Sequence, residues 1–555
     1  MLKNDKWWQR AVIYQIYPRS FCDGNGDGIG DLRGITGKVG YLRSLGVDAV
    51  WLSPIYLSPG VDNGYDISDY CAIDPVFGTM ADFDELVSAF HNNGIKLIMD
   101  FVINHTSVEH EWFRKSRRST DNPYRDYYIW RKGKNGGAPC NWTSVFGGSA
   151  WTKDEITGEY YFHLFTEAQP DLNWENPDVR KAIVEVGKFW AEKGVDGLRI
   201  DCANFLAKNC DFEDITENFD ENLRKKFINY GPIHEYFRYL NEQLFSEYGL
   251  ATIGECSRTD PNEAAMFVSP DRRELDLIFQ FEHMSLEEGE HGKWNRASAP
   301  PERLIESLVK WQTSMAGRGW NSLYFDNHDQ PRMVSRFGDD GKYRAESAKM
   351  LAVILMTLQG TPFIYQGTEL SMRNISLKRD EMNDCEAENF LAENDVCGYY
   401  PPEEAVAIVN LKGRDNARTP MQWNGGTGAG FTVGKPWLKI NPDYSDINAE
   451  AMIKDKSSVW NFYRELIAFR RSHEEVFIDG VFSRLGSPAG TFVYTRTGRD
   501  ETMCVTANLT ARTIETEIGH CLRPEMFNYA EPPLTGNGKA LLRPYESAVW
   551  KVVDV

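Results

Sequence analysis

The chain has 555 residues, and 61 Lys plus Arg against 81 Asp plus Glu give it a formal net charge of −20. That length exceeds one ordinary core and demands a large domain with insertions, or several domains. The acidic balance repels phosphate backbones and anionic lipid headgroups, so neither nucleic acid nor a membrane is expected as a partner.

The start, MLKNDKWW, has no apolar stretch of signal length, and no run of about 18 apolar residues follows. Ten cysteines, at 22, 71, 140, 202, 210, 256, 385, 397, 504 and 521, form no C-x-x-C pair. A cytoplasmic monomer with reduced thiols and no zinc site is expected. Asn141-Trp142-Thr143 matches a glycosylation acceptor, which carries no weight without a secretory route.

In chain order, a β-branched and aromatic run at 11–18 (AVIYQIYP) comes first, followed by DGNGDGIGD at 23–31. The second stretch sets Asp23, Asn25, Asp27, the Ile29 carbonyl and Asp31 at alternating calcium-loop positions, with Gly28 at the turn. Position twelve is Gly34, so the closing Glu of an EF-hand is missing. A structural Ca²⁺ site is expected, with Mg²⁺ as a substitute ion and a plain Gly/Asp turn as the alternative.

Further strand candidates follow at 47–54, 95–105, 195–201, 251–255, 275–283, 321–329 and 360–367. Most are separated by helix-like segments, such as ADFDELVSAFHNNG at 81–94 and NPDVRKAIVEVGKFWAEKG at 176–194. This alternation predicts a (β/α)8 TIM barrel, with an open doubly wound sheet as the alternative. Residues 105–172, rich in Gly, Trp, Tyr and Asn, are too many for a simple crossover and predict an inserted subdomain after the third strand. The excursion at 371–419 carries acidic and Pro-rich patches and is expected to rim the same face. Alternating patterns after 473 predict a C-terminal antiparallel β-sandwich. The expected boundaries are 1–104 and 173–476 for the barrel, 105–172 for the subdomain and 477–555 for the sandwich.

Polar residues gather where the strand candidates end: Asp100 to His105, Arg199 with Asp201, Glu255, and His328 with Asp329. In a TIM barrel those ends converge on one face. Glycosidic cleavage with retention needs an ionised carboxylate as nucleophile and a protonated carboxyl as acid. Arg199 stands two residues before Asp201, so a strand of period two points both to one face, where Arg199 would keep Asp201 ionised. Glu255 ends an apolar strand, where desolvation and the Asp201 charge would raise its pKa into the range of a working acid. In FDNHDQP, Asp329 could clamp sugar hydroxyls beside a neutral His328.

These motifs, DFVINH (100–105), GLRIDCANF (197–205), TIGEC (252–256) and YFDNHD (324–329), resemble the conserved regions of glycoside hydrolase family 13, the α-amylase family. The likeness is closest to its branch of oligo-1,6-glucosidases, dextran glucosidases and trehalose-6-phosphate hydrolases, and it runs from WWQRAVIYQIYPRSF through GRDNARTPMQW into the C-terminal domain. The resemblance implies Asp201 as nucleophile, Glu255 as acid/base and Asp329 as transition-state stabiliser, with Arg199, His105 and His328 around the first glucose subsite. It also implies Asp62 and Tyr65 of DNGYD beneath the terminal glucose, Arg414 pairing with Asp62 to close the pocket, and Phe146, Phe165 and Gln169 along its wall. A closed pocket implies exo action on a small oligosaccharide, and the branch carries a single Ca²⁺ loop like that at 23–31.

Within the branch, Val after the nucleophile accompanies α-1,6 cleavage, and Thr or Ala accompanies α-1,4. Here the residue is Cys202, of about Val's size, which favours isomaltose and isomaltooligosaccharides. Trehalose-6-phosphate, α-1,4 glucosides and sucrose are the alternatives. Isomerisation is disfavoured because 281–294 reads FEHMSLEEGEHGKW and lacks the RLDRD stretch of sucrose isomerases. A non-catalytic transporter-subunit relative would have a membrane anchor or lack the carboxylates that this chain keeps.

Overall fold

The computed structural model describes residues 6–216, 223, 225–519 and 522–553, so Cys521 and the outermost ends of the expected domain ranges lie outside the described residues. Eight short strands carry the first architecture: β1 Ile13–Ile16, β2 Ala49–Leu52, β3 Lys96–Phe101, β4 Gly197–Ile200, β5 Ala251–Cys256, β6 Leu277–Gln280, β7 Ser322–Leu323 and β8 Thr361–Tyr365. They pair in parallel in the order β6-β5-β4-β3-β2-β1-β8-β7. A parallel bridge between Ile278 and Asn321 joins the two ends of that order, so the sheet curls into a TIM barrel and the open doubly wound alternative falls.

Period-two alternation decides which side chains fill the barrel. Ile13, Trp51, Ile98, Ile253, Leu277, Phe279 and Phe363 form one apolar cluster inside it. Their neighbours Tyr14, Val50, Leu97, Leu198 and Ile364 belong to the larger cluster beneath the surrounding helices. Burial on both faces explains why the strands read as unbroken apolar runs.

The helices between strands start where the sequence writes caps. The helix α1 (Met80–Asn92) has a Thr79–Asp82 capping box, and α2 (Pro177–Glu192) starts with Pro177 behind Asn176, whose side chain accepts from the Asp178 amide. Helix α3 (Pro261–Val268) has Asp260 accepting from the Asn262 and Glu263 amides. On α2, Trp190 packs edge-on against Phe83 of α1 at 5.0 Å, and this contact locks the two helices onto the sheet.

Between β3 and β4 lies a three-stranded antiparallel sheet of Trp130–Arg131, Tyr160–Phe162 and Trp151–Lys153. At the C-terminal end, a five-stranded sheet (Val481–Arg484, Thr491–Thr497, Thr502–Asn508, Ser547–Val552, Leu522–Phe527) faces a three-stranded one (Ile514–Glu517, Lys539–Leu542, Leu534–Gly536). Val493, Cys504, Ala540, Leu542 and Trp550 fill the space between them as a sandwich core. Buried Arg496 donates to the carbonyls of Phe477 and Gly480 at 3.1 and 2.8 Å, and buried Arg470 donates to Gly360 just before β8 at 2.6 Å. These guanidiniums satisfy carbonyls at the seam between barrel and sandwich. Among the described residues, no helix is long and apolar enough to cross a membrane.

Phe279 touches Trp51, Tyr324 and Phe363, with ring centroids at 5.3, 5.1 and 4.6 Å. Phe279→Ala should therefore leave a cavity at the barrel centre and cost about 3–5 kcal/mol in urea denaturation; a loss under about 1 kcal/mol would contradict this packing.

Candidate active site

Parallel register sets the centre of the site. Arg199 on β4 lies opposite Asp100 on β3 and Ile253 on β5, so Glu255, two residues beyond Ile253, shares their inward face one step further along. The Arg199 guanidinium donates to Asp100 Oδ1 at 2.6 Å, Asp201 Oδ1 at 2.7 Å and Glu255 Oε2 at 2.6 Å. It lies 5.0 Å from the centre of the Trp51 ring, whose indole N–H also donates to Asp100 at 3.0 Å. One carboxylate oxygen of Asp201 and one of Glu255 lie within 4.8 Å of each other.

One guanidinium against two buried carboxyls and the half-buried Glu255 leaves an excess of negative charge, and a proton relieves it. Burial pushes Glu255 up to about 8, with the Asp201 and Asp329 charges adding to it and Arg199 opposing. Burial also lifts Asp100 to about 6 and raises Asp201, again against Arg199. Arg199 is thus not Asp201's own counter-ion, as the spacing alone implied. It is shared by three acids, and Glu255 holds its proton most firmly.

Asp329 differs. Burial would raise it, but His328, Arg414 and Arg418 hold it well below the usual carboxylate range. Arg418 donates to Asp329 Oδ1 at 2.9 Å and Arg414 at 3.5 Å. Burial drives His328 down to about 3, so its ring is neutral. The Gln15 side-chain amide donates to Nδ1 at 2.8 Å, which leaves the proton on Nε2, 2.6 Å from Tyr65 Oη and 3.0 Å from Asp329 Oδ2. Tyr65 stacks on that imidazole and passes its own hydroxyl proton toward Asp100 Oδ2 at 3.1 Å.

Asp62, Tyr65, His105, Phe146, Phe165 and Arg414 line the same cavity as Asp201, Glu255 and Asp329, a space of ≈ 420 Å³. Gln169, Arg199 and His328 stand behind that wall: Gln169 reaches Asp62 Oδ2 at 3.3 Å and His105 Nε2 at 3.2 Å. Burial lowers the pKa of His105, which keeps it neutral. Phe146 packs edge-on against Phe165 and lies 5.3 Å from the Arg414 guanidinium. Arg414 does meet Asp62 at 3.3 Å, but its shorter contacts go to Asp384, at 2.6 and 2.8 Å.

Asp384 and Arg418 also meet the site's charged groups, at Arg414 and Asp329, and the sequence points to neither. Asp384 comes from the 371–419 excursion, where no strand or helix period could place a single acid; Arg418 closes GRDNAR, four residues after Arg414, where no local pattern distinguishes its role. The outer wall adds Phe205, Leu223, Phe227, Arg258, Glu287 and Lys293, which converge from separate loops.

The loop at 23–31 is built from oxygen donors. The side chains of Asp23, Asn25 and Asp27 accept from the amides of Asn25, Asp27 and Ile29 at 3.0, 2.8 and 2.8 Å, which winds the chain into successive Asx turns. Asp31 instead caps the helix Leu32–Thr36 through the Gly34 amide at 2.6 Å and also accepts from Gly24 and Asn25. An ion there would have to draw the three aspartates closer together: the tight group of metal-ligating atoms found among the described residues is Asp201, Cys202 and Glu255.

A TIM barrel whose strand ends gather Asp201, Glu255 and Asp329 around one cavity has the architecture of a glycoside hydrolase. The chain belongs to the α-amylase family, whose catalytic-domain profile matches residues 15–480. It is 48% identical to an oligo-1,6-glucosidase of Parageobacillus thermoglucosidasius, over 98% of this chain and 99% of that protein. It is 44% identical to a trehalose-6-phosphate hydrolase of Bacillus subtilis, over 98% of both chains. The crystal structure of a trehalulose synthase from Pseudomonas mesoacidophila MX-45 superposes with a TM-score of 0.96 at 41% identity, covering 99% of this chain and 100% of the other.

Glu255 must be protonated to act as an acid, and its pKa is raised, so the competent form prevails below about pH 8 and is lost as the pH rises through that value. The kcat/KM profile should show a basic limb near pH 8. Glu255→Gln should abolish that limb and lower kcat by about 10²–10⁴-fold for poor leaving groups; an unchanged limb in the variant would assign it to another group.

Proposed function

We propose that the protein is a retaining, exo-acting α-glucosidase that removes one glucose from the non-reducing end of short α-1,6-linked glucosides, isomaltose first among them. The observation that carries this reading is that one carboxyl oxygen of Asp201 and one of Glu255 lie within 4.8 Å of each other. Double displacement works at about 5–5.5 Å between carboxyl groups, whereas inversion needs about 6.5–9.5 Å to admit a water. Asp201 would attack the anomeric carbon while Glu255 gives its proton to the leaving oxygen. Glu255, now a carboxylate, would then take a proton from the water that releases α-glucose. Asp329, held ionised between Arg414 and Arg418, would grip sugar hydroxyls as the ring flattens toward the oxocarbenium ion.

Exo action is supported by Asp62, Phe146 and Arg414 on the cavity wall, with Asp384 fixing Arg414 from behind; together they would close the space past the first glucose. The α-1,6 preference is supported by Cys202, a small apolar side chain after the nucleophile, and by the 48% identity to an oligo-1,6-glucosidase. Trehalose-6-phosphate is the second reading, because Arg258, Lys293, Arg336 and Lys412 line the cavity. Each of them already faces an acid: Arg258 meets Glu288 at 3.3 Å and Lys293 meets Glu386 at 2.6 Å, while Arg336 and Lys412 share Glu287. Paired cations attract a phosphate weakly, so a neutral glucoside is the better occupant. The same reading keeps the enzyme a cytoplasmic monomer, and it assigns Ca²⁺, or Mg²⁺, to the 23–31 loop on the strength of its all-oxygen donor set.

Glucose release by the purified protein should rank isomaltose above maltose, sucrose and trehalose-6-phosphate, and Asp201→Asn should lower kcat on the order of 10⁴-fold or more. Equal rates for the variant would remove the mechanism, and trehalose-6-phosphate as best substrate would replace the proposed specificity. Chelation with EGTA or EDTA should lower the melting temperature by several degrees, about what loss of 1–3 kcal/mol of bound-ion stabilisation gives. An unchanged melt would show that the loop stands without an ion.

A further inference from the structure

Cys202 occupies the turn directly after β4 with a left-handed backbone, φ 46°, that residues with a β-carbon seldom adopt. That turn aims its amide at Glu255 Oε2, 3.1 Å away, and sets its side chain in the cavity wall between the two carboxylates. The result is a three-donor cluster: one ligand atom each from Asp201, Cys202 and Glu255, all within 4.8 Å of one another. Arg199 engages Asp201 through Oδ1 and Glu255 through Oε2, and Asp201 is hydrogen-bonded as well to the Cys202 side chain and to Glu255, contacts that an ion would have to replace.

A tetrahedral ion with bonds of about 2.0–2.3 Å wants its donors about 3.5 Å apart, a spacing these side chains reach by small rotations. One sulfur, two carboxylate oxygens and a fourth position open to the cavity make a donor set for Zn²⁺ and similarly thiophilic cations. Ca²⁺ and Mg²⁺ take oxygen ligands and are poorly served by it. On binding, the thiol and the Glu255 carboxyl give their protons to solvent, the S–metal and O–metal bonds form, and no electron is transferred. The three anionic donors then balance the divalent ion together with Arg199.

We infer that Asp201, Cys202 and Glu255 form a binding site for a thiophilic divalent cation, represented by Zn²⁺, and that this ion and the glucoside exclude each other. The inference rests on geometry and holds whether or not the two carboxylates perform the proposed hydrolysis. Zinc bound there would inhibit competitively, and the susceptibility would depend on the thiol.

The test is a competition for Zn²⁺ between the metal-stripped full-length protein and a chromophoric zinc chelator, with and without saturating 1-deoxynojirimycin as a glucose-shaped occupant. One zinc equivalent should disappear in the presence of the sugar mimic, and the same equivalent should be missing from Cys202→Val. Zinc uptake that survives the mimic, or that is undiminished in folded Cys202→Val, overturns the site. If Cys202→Val does not fold, the mimic arm on the unmodified protein decides alone. Zinc uptake by a protein inert on every glucoside would overturn the proposed function and leave this site standing, and isomaltose hydrolysis without mimic-sensitive uptake would do the reverse.

Discussion

Arg199 is a single positive charge sharing hydrogen bonds with three carboxyl groups, the buried Asp100 and Asp201 and the half-buried Glu255, and the rest of the site follows from that imbalance. A buried excess of negative charge is costly, and the cheapest relief is to keep a proton on the acid with the least favourable surroundings. Glu255 is that acid, pushed up to about 8 by burial and by its neighbours Asp201 and Asp329. Asp329 stands at the other extreme because Arg414 and Arg418 reach it directly. Environment alone therefore separates chemically similar carboxyls: Glu255 keeps a proton while Asp329 stays ionised.

The scaffold makes this arrangement reproducible. Parallel pairing of β3, β4 and β5 fixes Asp100, Arg199 and Glu255 in neighbouring registers, and the inner aromatic cluster of Trp51, Phe279 and Phe363 closes the barrel below them. Loops then add what strands cannot. The 371–419 excursion brings Asp384 and Arg414 across the barrel mouth, and loops flanking the inserted sheet bring Phe146 and Phe165. Rigid strands hold the reacting groups while loops shape the occupant, a division suited to varying specificity on one chemistry.

Much of this was legible in the sequence because it obeys a period. The eight apolar runs, and the i, i+2 relation of Arg199 to Asp201, need only strand geometry, and desolvation at a strand end was enough to anticipate a raised Glu255. Asp384 and Arg418 were hidden because their placement depends on how a long irregular excursion folds back over the barrel, which no local pattern encodes. The sharing of Arg199 was hidden for a related reason: the cross-strand contacts to Asp100 and Glu255 are set by register between strands distant in sequence. Cys202 was visible as a departure from Val, Thr or Ala, but its closeness to both Asp201 and Glu255 comes from a left-handed turn that the sequence does not announce.

The central claim is that Asp201 and Glu255 act on opposite sides of one glucosidic bond. Incubation with 5-fluoro-α-glucosyl fluoride, followed by digestion and mass spectrometry, tests it most directly by trapping the covalent intermediate. The account predicts one fluoroglucosyl adduct per chain, carried by Asp201. An adduct on any other residue, or β-glucose as the first product with no adduct formed, would contradict it.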